Sequence, residues 1–321
     1  MSFSAAFGIW AIVAAVAALE GVHLGFGTLP FAVALGVAAL LFAFELFLAA
    51  PRVLALAQNS FSGRGAILGP LVPLFAVLSY SLMVTRSWKM LLFGAAYAVV
   101  PALLLASSQG RAPGTWEDYT ALLVIWIPVA LPVSQRLMYR EFPYPPPLTH
   151  TLAILMALST AVASFVLLRR LDGIGYAVEW KQGFARDFAL HFIVFAAIAI
   201  PVGLKIGFLA FHPSLRRGGF FPLSALGVLF FTAWPEEFLF RGVLQNLLSK
   251  TFRNRWAGLG TASIIFGLSH VFHSPYPNWK YVFLATIAGL FYGHVWMKTR
   301  SLLPGTLVHA LVDISWSVFF R

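Results

Sequence analysis

Long apolar runs are the feature that most constrains the fold of this chain. Two of the clearest are "TLPFAVALGVAALLFAFELFLAA" (28–50) and "LTHTLAILMALSTAVASFVLL" (148–168). Each reaches the ~20 apolar residues that an α-helix needs to cross the hydrocarbon core of a bilayer. Because no water is available there, the backbone must pair its polar groups within the segment, as a helix does. The runs therefore predict a chain that spans a membrane several times.

The composition supports this class. Hydrophobic residues make up 60% of the chain and charged residues only 10%, whereas soluble domains carry about 25% charged residues. We predict an all-α fold, a polytopic membrane helix bundle with roughly ten to eleven transmembrane segments. The candidate spans are residues 4–24, 28–50, 66–85, 89–107, 119–135, 149–168, 187–210, 221–248, 257–273, 281–297 and 302–320.

The charge pattern indicates a lipid bilayer, and not nucleic acid, as the partner of the basic residues. The net charge is +11, from 22 Lys and Arg against 11 Asp and Glu. The basic residues cluster at the ends of apolar runs, as in "RSWK" (86–89), "LLRRLDG" (167–173) and "SKTFRNR" (249–255). Such positions suit anchors that face anionic headgroups. The absence of cysteine excludes disulfides, thiolate metal sites and a cysteine nucleophile.

A proline-rich break divides the chain. In "REFPYPPPLTH" (140–150) the prolines disfavour a helix and favour extended backbone. It separates an N-terminal part with little charge at membrane depth from a C-terminal part that has more. We predict N-terminal transmembrane helices of unassigned role over 1–148 and a functional transmembrane core over 149–321.

The stretch "WPEEFLFRGVLQNLL" (234–248) places three charged residues inside an apolar run. Such groups cost at least ~2.5 kcal/mol each at membrane depth and usually face a protein interior or a water-filled cavity. On a helix, Glu237 and Arg241 are four residues apart and can pair, while Glu236 points about 100° away. Pro235 frees backbone groups and can open the helix to water. The pattern predicts that Arg241 holds Glu237 and leaves Glu236 available for chemistry.

Two later segments add polar residues to this cluster. "SIIFGLSHVFH" (263–273) places Phe266 and His270 one helical turn apart, and "LVHALVD" (307–313) places His309 four residues before Asp313. In that second pair the carboxylate can orient the imidazole. Three successive helices could thus bring these side chains together.

A Glu–His–His cluster can activate a water in two ways. Glu236 can act as general base on a water held by His270, with His309 and Asp313 supporting the developing oxyanion. Alternatively, Glu236, His270 and His309 can be three ligands of a catalytic zinc. Both predict hydrolysis within the bilayer. Two other classes stay open: a non-catalytic scaffold or immunity factor that keeps the cluster for structure, and a transporter.

The ordered motifs "EEFLFR" (236–241), "FGLSH" (266–270) and "HALVD" (309–313) resemble the CPBP family of intramembrane proteases. That family, the type II CAAX prenyl endopeptidase and bacteriocin-processing group, carries EExxxR, FxxxH and Hxxx(N/D) on successive helices. The resemblance implies an all-helical bundle whose polar groups meet in a cavity, and a glutamate-type protease without a required cofactor. Its expected substrate is membrane-tethered: a prenylated CAAX-type peptide or a C-terminal sorting or export signal. The expected location is the bacterial inner membrane.

By position, the resemblance makes Glu236 the base and His270 its water-orienting partner. His309 and Asp313 would form the oxyanion site, while Glu237 and Arg241 support the geometry; Phe266 belongs to the second motif. The departure is Asp313, because the eukaryotic prenyl proteases carry asparagine there. An aspartate cannot donate to an oxyanion unless it is protonated, so it is expected to fix the His309 tautomer. Small residues in "ATIAGLFYG" (285–293) predict close helix packing.

Overall fold

The computed structural model describes residues 1–23, 28–60, 69–130, 146–214 and 221–320. Within these ranges the backbone is mainly helical and contains no β-strand, which confirms the all-α prediction. The chain divides into two compact units. The first comprises Met1–Asp172 with Ala177–Glu179, and the second comprises Gly173–Tyr176 with Trp180–Arg321. The predicted functional boundary at 148/149 stays a prediction.

The first unit contains seven α-helices among its described residues. They are α1 (Phe3–His23), α2 (Leu29–Leu48), α3 (Pro51–Ser60), α4 (Leu71–Tyr80), α5 (Trp88–Ser107), α6 (Trp116–Ala130) and α7 (Pro146–Ala161). Helix α4 continues as a π-helix over Ser81–Thr85, and α7 over Val162–Leu168. The predicted proline-rich break lies partly outside the described residues, and its last prolines begin α7 because proline suits a first helical turn.

A buried ion pair fixes the end of the last helix in this unit. The Arg169 guanidinium contacts Asp118 at 2.7 Å, and the backbone N–H groups of Gly114 and Thr115 donate to the same carboxylate. Both charged side chains are buried. A buried pair of this kind is costly to break from one side, because the remaining charge is left without a partner.

The second unit is built from five helical stretches among its described residues. They are α8 (Phe184–Lys205), a run containing α9 (Phe221–Val228), α10 (Trp234–Glu237) and α11 (Asn246–Thr251), then α12 (Arg255–Leu268), α13 (Trp279–Thr299) and α14 (Leu302–Phe319). Asparagine or serine begins the last three, since the side chains of Asn254, Asn278 and Ser301 accept hydrogen bonds from the first-turn N–H groups.

The helical run 221–251 departs from a regular α-helix. Two π-helical segments, Leu229–Ala233 and Phe238–Gln245, lie on either side of α10. Such widened turns are rare and often occur at functional sites. The sequence predicts one continuous span over 221–248, and the structure instead places both glutamates on the short α-helical turn between the two widened segments.

The loop that precedes α8 packs against the helical run 221–251. Tyr176 is buried and its ring contacts Trp234 at 5.5 Å and Phe238 at 5.4 Å. The Trp296 indole donates to the carbonyl of Ile174 at 2.9 Å. Ile174 and Tyr176 are buried, so this loop packs into the second unit.

Glycines allow α12, α13 and the run 221–251 to approach closely. A Cβ at Gly289 would lie 3.0 Å from the Ser263 Cα, and one at Gly293 would lie 2.3 Å from the Gln245 side chain. No larger residue fits without displacing its neighbour. The small-residue face predicted in 285–293 is confirmed as a packing surface.

Five helices among the described residues are long and apolar enough to cross a membrane: Leu29–Leu48, Trp88–Ser107, His150–Leu168, Phe184–Lys205 and Leu302–Phe319. This fits a multi-pass integral membrane protein. Shorter apolar helices occur at Phe3–Leu19 and Leu71–Thr85. The predicted count of ten to eleven spans is not confirmed, because several helices of the second unit are short or carry more polar residues than a lipid-facing span.

Candidate active site

A buried ion pair forms the base of the candidate site. The Arg241 Nε lies 3.2 Å from the Glu237 Oε2, and both side chains are fully buried. The pair predicted from the four-residue spacing is therefore present. Gly305 of α14 permits it, since a Cβ there would lie 3.3 Å from the same carboxylate oxygen.

His309 joins this pair from another helix. Its Nδ1 lies 2.9 Å from the Glu237 Oε1 and donates to it, so one carboxylate binds both Arg241 and His309. The ring also stacks on Tyr292, with centroids 4.5 Å apart. Because Nδ1 carries a hydrogen, Nε2 is the nitrogen that can serve a reacting group. Sequence spacing gave no signal for this contact, which joins residues 72 positions apart.

Phe266 packs at the centre of the cluster. Its ring centroid lies 4.4 Å from the Arg241 guanidinium carbon, 4.9 Å from the His270 ring and 5.8 Å from the His309 ring. A cation over an aromatic face is stabilised by the ring quadrupole, more strongly when water is excluded. Phe266 thus supports a buried cation and also separates the two imidazoles.

Glu236 and Asp313 lie on the more open side of His309. The His309 Nε2 is 3.8 Å from the Glu236 Oε2 and 3.6 Å from the Asp313 Oδ2. The two acidic side chains are 32% and 28% exposed, respectively, in contrast to buried Glu237. These separations exceed a direct hydrogen bond and suit a bridging water or substrate oxygen. The Glu236 Oε2 is itself buried with no hydrogen-bond partner among the described residues.

His270 is held at the end of α12 in a defined orientation. Its Nδ1 donates to the Phe266 carbonyl at 2.8 Å. The neutral ring therefore presents Nε2 as an acceptor. The His270 ring also contacts the Tyr281 ring, with centroids 4.5 Å apart. His270 can thus orient a water without reorganising its own tautomer.

The structure brings the predicted residues together within the second unit. Glu237 contacts Arg241 and His309, and Phe266 packs against both of these partners. Glu236 and Asp313 flank the open nitrogen of His309. His270 reaches the group through Phe266. Tyr281, Tyr292 and Gly305 also contribute to this site, and no sequence motif predicts them.

Two other histidines form a separate contact. The His191 Nε2 and His294 Nδ1 lie 2.9 Å apart, and His294 stacks on Trp256. This pair joins α8 to α13 at the end of α13 away from Tyr281.

The described residues do not fit the zinc alternative. No group of three or more histidine or acidic side chains in these ranges is arranged to hold a metal ion. The His309 Nδ1 is engaged by Glu237, so Nε2 is the one nitrogen of that ring that is open to another group. We therefore derive no step through a metal, and the absence of a cofactor stays a prediction.

A comparison with known protein families supports the resemblance that the three sequence motifs indicate. Residues 218–315 match the family described as type II CAAX prenyl endopeptidase Rce1-like. No curated protein and no solved structure gives a significant match to the chain. The matched segment contains all three motifs. The match supports the resemblance to the CPBP family over residues 218–315.

Proposed function

We propose that this protein is an intramembrane endopeptidase that hydrolyses a peptide bond of a membrane-tethered substrate with a water activated by Glu236. The single observation that carries the proposal is the environment of His309. Its Nδ1 is fixed by buried Glu237, while its Nε2 faces two partly exposed carboxylates. A cluster that only held helices together would not need two partly exposed carboxylates beside the His309 Nε2.

Glu236 is the proposed general base. It accepts a proton from a water as the water oxygen forms a bond to the scissile carbonyl carbon, and the carbonyl electrons move to oxygen. His270 holds the water through its Nε2. When the C–N bond breaks, the proton on Glu236 passes to the leaving amine, which returns the carboxylate to its starting state. One water is consumed, and one acid and one amine are formed.

His309 is the proposed support for the oxyanion. Since Nδ1 donates to Glu237, Nε2 can donate to an oxyanion only when the ring is protonated. The three neighbouring carboxylates stabilise that imidazolium. Asp313 then supports the charge of His309, as its position four residues later allows. Glu237 and Arg241 hold the ring in place.

The proposed substrate is a peptide presented at membrane depth. A prenylated CAAX-type C-terminus is suggested by the family match, and a C-terminal sorting or export signal uses the same site chemistry. In both cases the bilayer concentrates the substrate. A bacterial inner membrane is the location that we propose.

The experiment that tests this proposal compares protein termini in membranes of cells carrying the wild type, Glu236→Gln or Glu179→Gln at matched levels. Glu179 is exposed and makes a matched control for the same chemical change. We expect termini present with wild type and Glu179→Gln and absent with Glu236→Gln. Their sequences would identify the substrate and the side of cleavage.

Complete burial of Glu237 and Arg241 favours one other class, a non-catalytic scaffold or immunity factor. In that class the cluster serves to hold helices together. Identical termini in all three strains would support it and would contradict the protease proposal.

A further inference from the structure

Tyr281 is a residue of the candidate site that lies outside the three family motifs. It lies in the first turn of α13, where its backbone N–H donates to the capping side chain of Asn278 at 3.0 Å. Asn278 is buried and donates in turn to the Ser274 carbonyl. This cap fixes the point at which the tyrosine leaves the helix.

Aromatic neighbours on several sides hold the Tyr281 ring. Its centroid lies 4.5 Å from that of His270 and 5.1 Å from that of His273. Trp316 of α14 contacts it edge-on at 5.1 Å, and Phe208 lies at 5.3 Å. A ring packed in this way has little rotational freedom, so the direction of its hydroxyl is set by the fold.

The Tyr281 hydroxyl has no hydrogen-bond partner among the described residues. Trp316 follows Asp313 by three residues and shares its face of α14, so the ring contact with Trp316 places Tyr281 beside Asp313. Tyr281 therefore lies on the side of the cluster that carries Asp313.

Tyr292, on the same helix, differs from Tyr281 in its burial and in its contacts. It is buried, it stacks on His309, and it lies 5.6 Å from the Arg241 guanidinium carbon. Tyr292 therefore lies among the buried residues of the site. Tyr281 is half-buried and can reach a group that enters from outside.

The proposed hydrolysis needs donors for the oxyanion, and the motifs supply few. Asp313 cannot donate while it is ionised, and His309 offers one N–H. We propose that the Tyr281 hydroxyl is the second donor, replacing the amide that an asparagine at position 313 would provide. This inference rests on the proposed function. The hydroxyl only donates a hydrogen bond, and its proton is not transferred.

The first test is Tyr281→Phe, which keeps the ring contacts and removes one oxygen. The assay uses a synthetic peptide spanning the cleavage site found by the terminus comparison, with enzyme in liposomes. We expect kcat to fall by about 10²-fold, as on loss of one oxyanion donor, with KM changed less than about twofold. Tyr276→Phe is the matched control, because Tyr276 is 68% exposed. It should leave kcat unchanged.

A double-mutant cycle separates this role from a structural one. Asp313→Asn introduces an amide donor beside the same oxygen position. In that background Tyr281→Phe should cost less than about 10-fold in kcat, since coupled groups are not additive. Affinity for a peptide aldehyde, which mimics the tetrahedral state, should fall in parallel with kcat for Tyr281→Phe even where turnover is too slow to measure.

Three results would overturn the inference. Tyr281→Phe could retain kcat within twofold of wild type, its cost could be equal in both backgrounds, or the aldehyde affinity could be unchanged. Failure of the proposed function has a different signature, because Glu236→Gln would then cleave as well as wild type. In that case both proposals are wrong.

Discussion

The His309 Nδ1 donates to the Glu237 Oε1 at 2.9 Å, and the same carboxylate contacts the Arg241 Nε through its other oxygen at 3.2 Å. Glu237 therefore connects two helical stretches and fixes the ring that faces Glu236. The two adjacent glutamates have different tasks because one is fully buried between partners and the other is partly exposed.

Glu237→Gln is expected to destabilise the protein strongly. It leaves the buried Arg241 charge without its carboxylate, and breaking a buried pair from one side costs about 3–5 kcal/mol. Glu236→Gln should change stability much less, because Glu236 is partly exposed. Thermal unfolding in detergent measures both. Equal transition temperatures for wild type and Glu237→Gln would show that the pair is not the structural base of the site.

Phe266→Leu should weaken the site through two contacts. It removes the aromatic ring that contacts the Arg241 guanidinium, and a cation–π contact of this kind is worth about 2 kcal/mol when desolvated. It also removes the ring that packs against His270. We expect a lower transition temperature and reduced turnover. Phe272→Leu is the control of the same chemical change, since Phe272 is 44% exposed. If the two variants have the same transition temperature and the same turnover, the contacts of Phe266 with Arg241 and His270 do not stabilise the site.

Asp118→Asn should destabilise the first unit and leave the chemistry of the second intact. The buried Arg169 would lose its charged partner, at a cost of about 3–5 kcal/mol. The expected signature is a lowered transition temperature with kcat and KM of the folded enzyme unchanged. A selective loss of kcat at full stability would instead assign Asp118 to the reaction.

Chelation tests the water-only mechanism. Because the described residues hold no group arranged as a metal site, cleavage is expected to continue at its full rate after prolonged exposure to a strong chelator. The rate should be measured with the chelator present and again after zinc is added. Loss of cleavage that zinc alone restores would return Glu236, His270 and His309 to the alternative of metal ligands.

Local spacing was sufficient to predict part of the site. Glu237 and Arg241 are four residues apart on one helical run, so their pairing follows from helix geometry. The bond between Glu237 and His309 depends on how two distant helices pack, and no local pattern encodes it. Tyr281 was missed for the same reason, since its contacts with His270 and Trp316 arise only in the folded chain.

The all-α class followed directly from hydropathy, whereas the number and limits of the spans did not. The run predicted over 28–50 ends at Leu48, and a separate helix begins at Pro51, since proline is accepted in a first turn. The widened turns beside Glu236 also lack a sequence signal that hydropathy can detect.

The most direct test of the central claim is cleavage by purified enzyme in liposomes. Wild type, Glu236→Gln and the exposed control Glu179→Gln would be compared on the peptide identified from cellular termini, each verified as folded by its transition temperature. Loss of the general base should lower kcat by about 10²-fold or more in Glu236→Gln, with Glu179→Gln equal to wild type. Turnover by folded Glu236→Gln within a few-fold of wild type would contradict the assignment of Glu236 as the group that activates water.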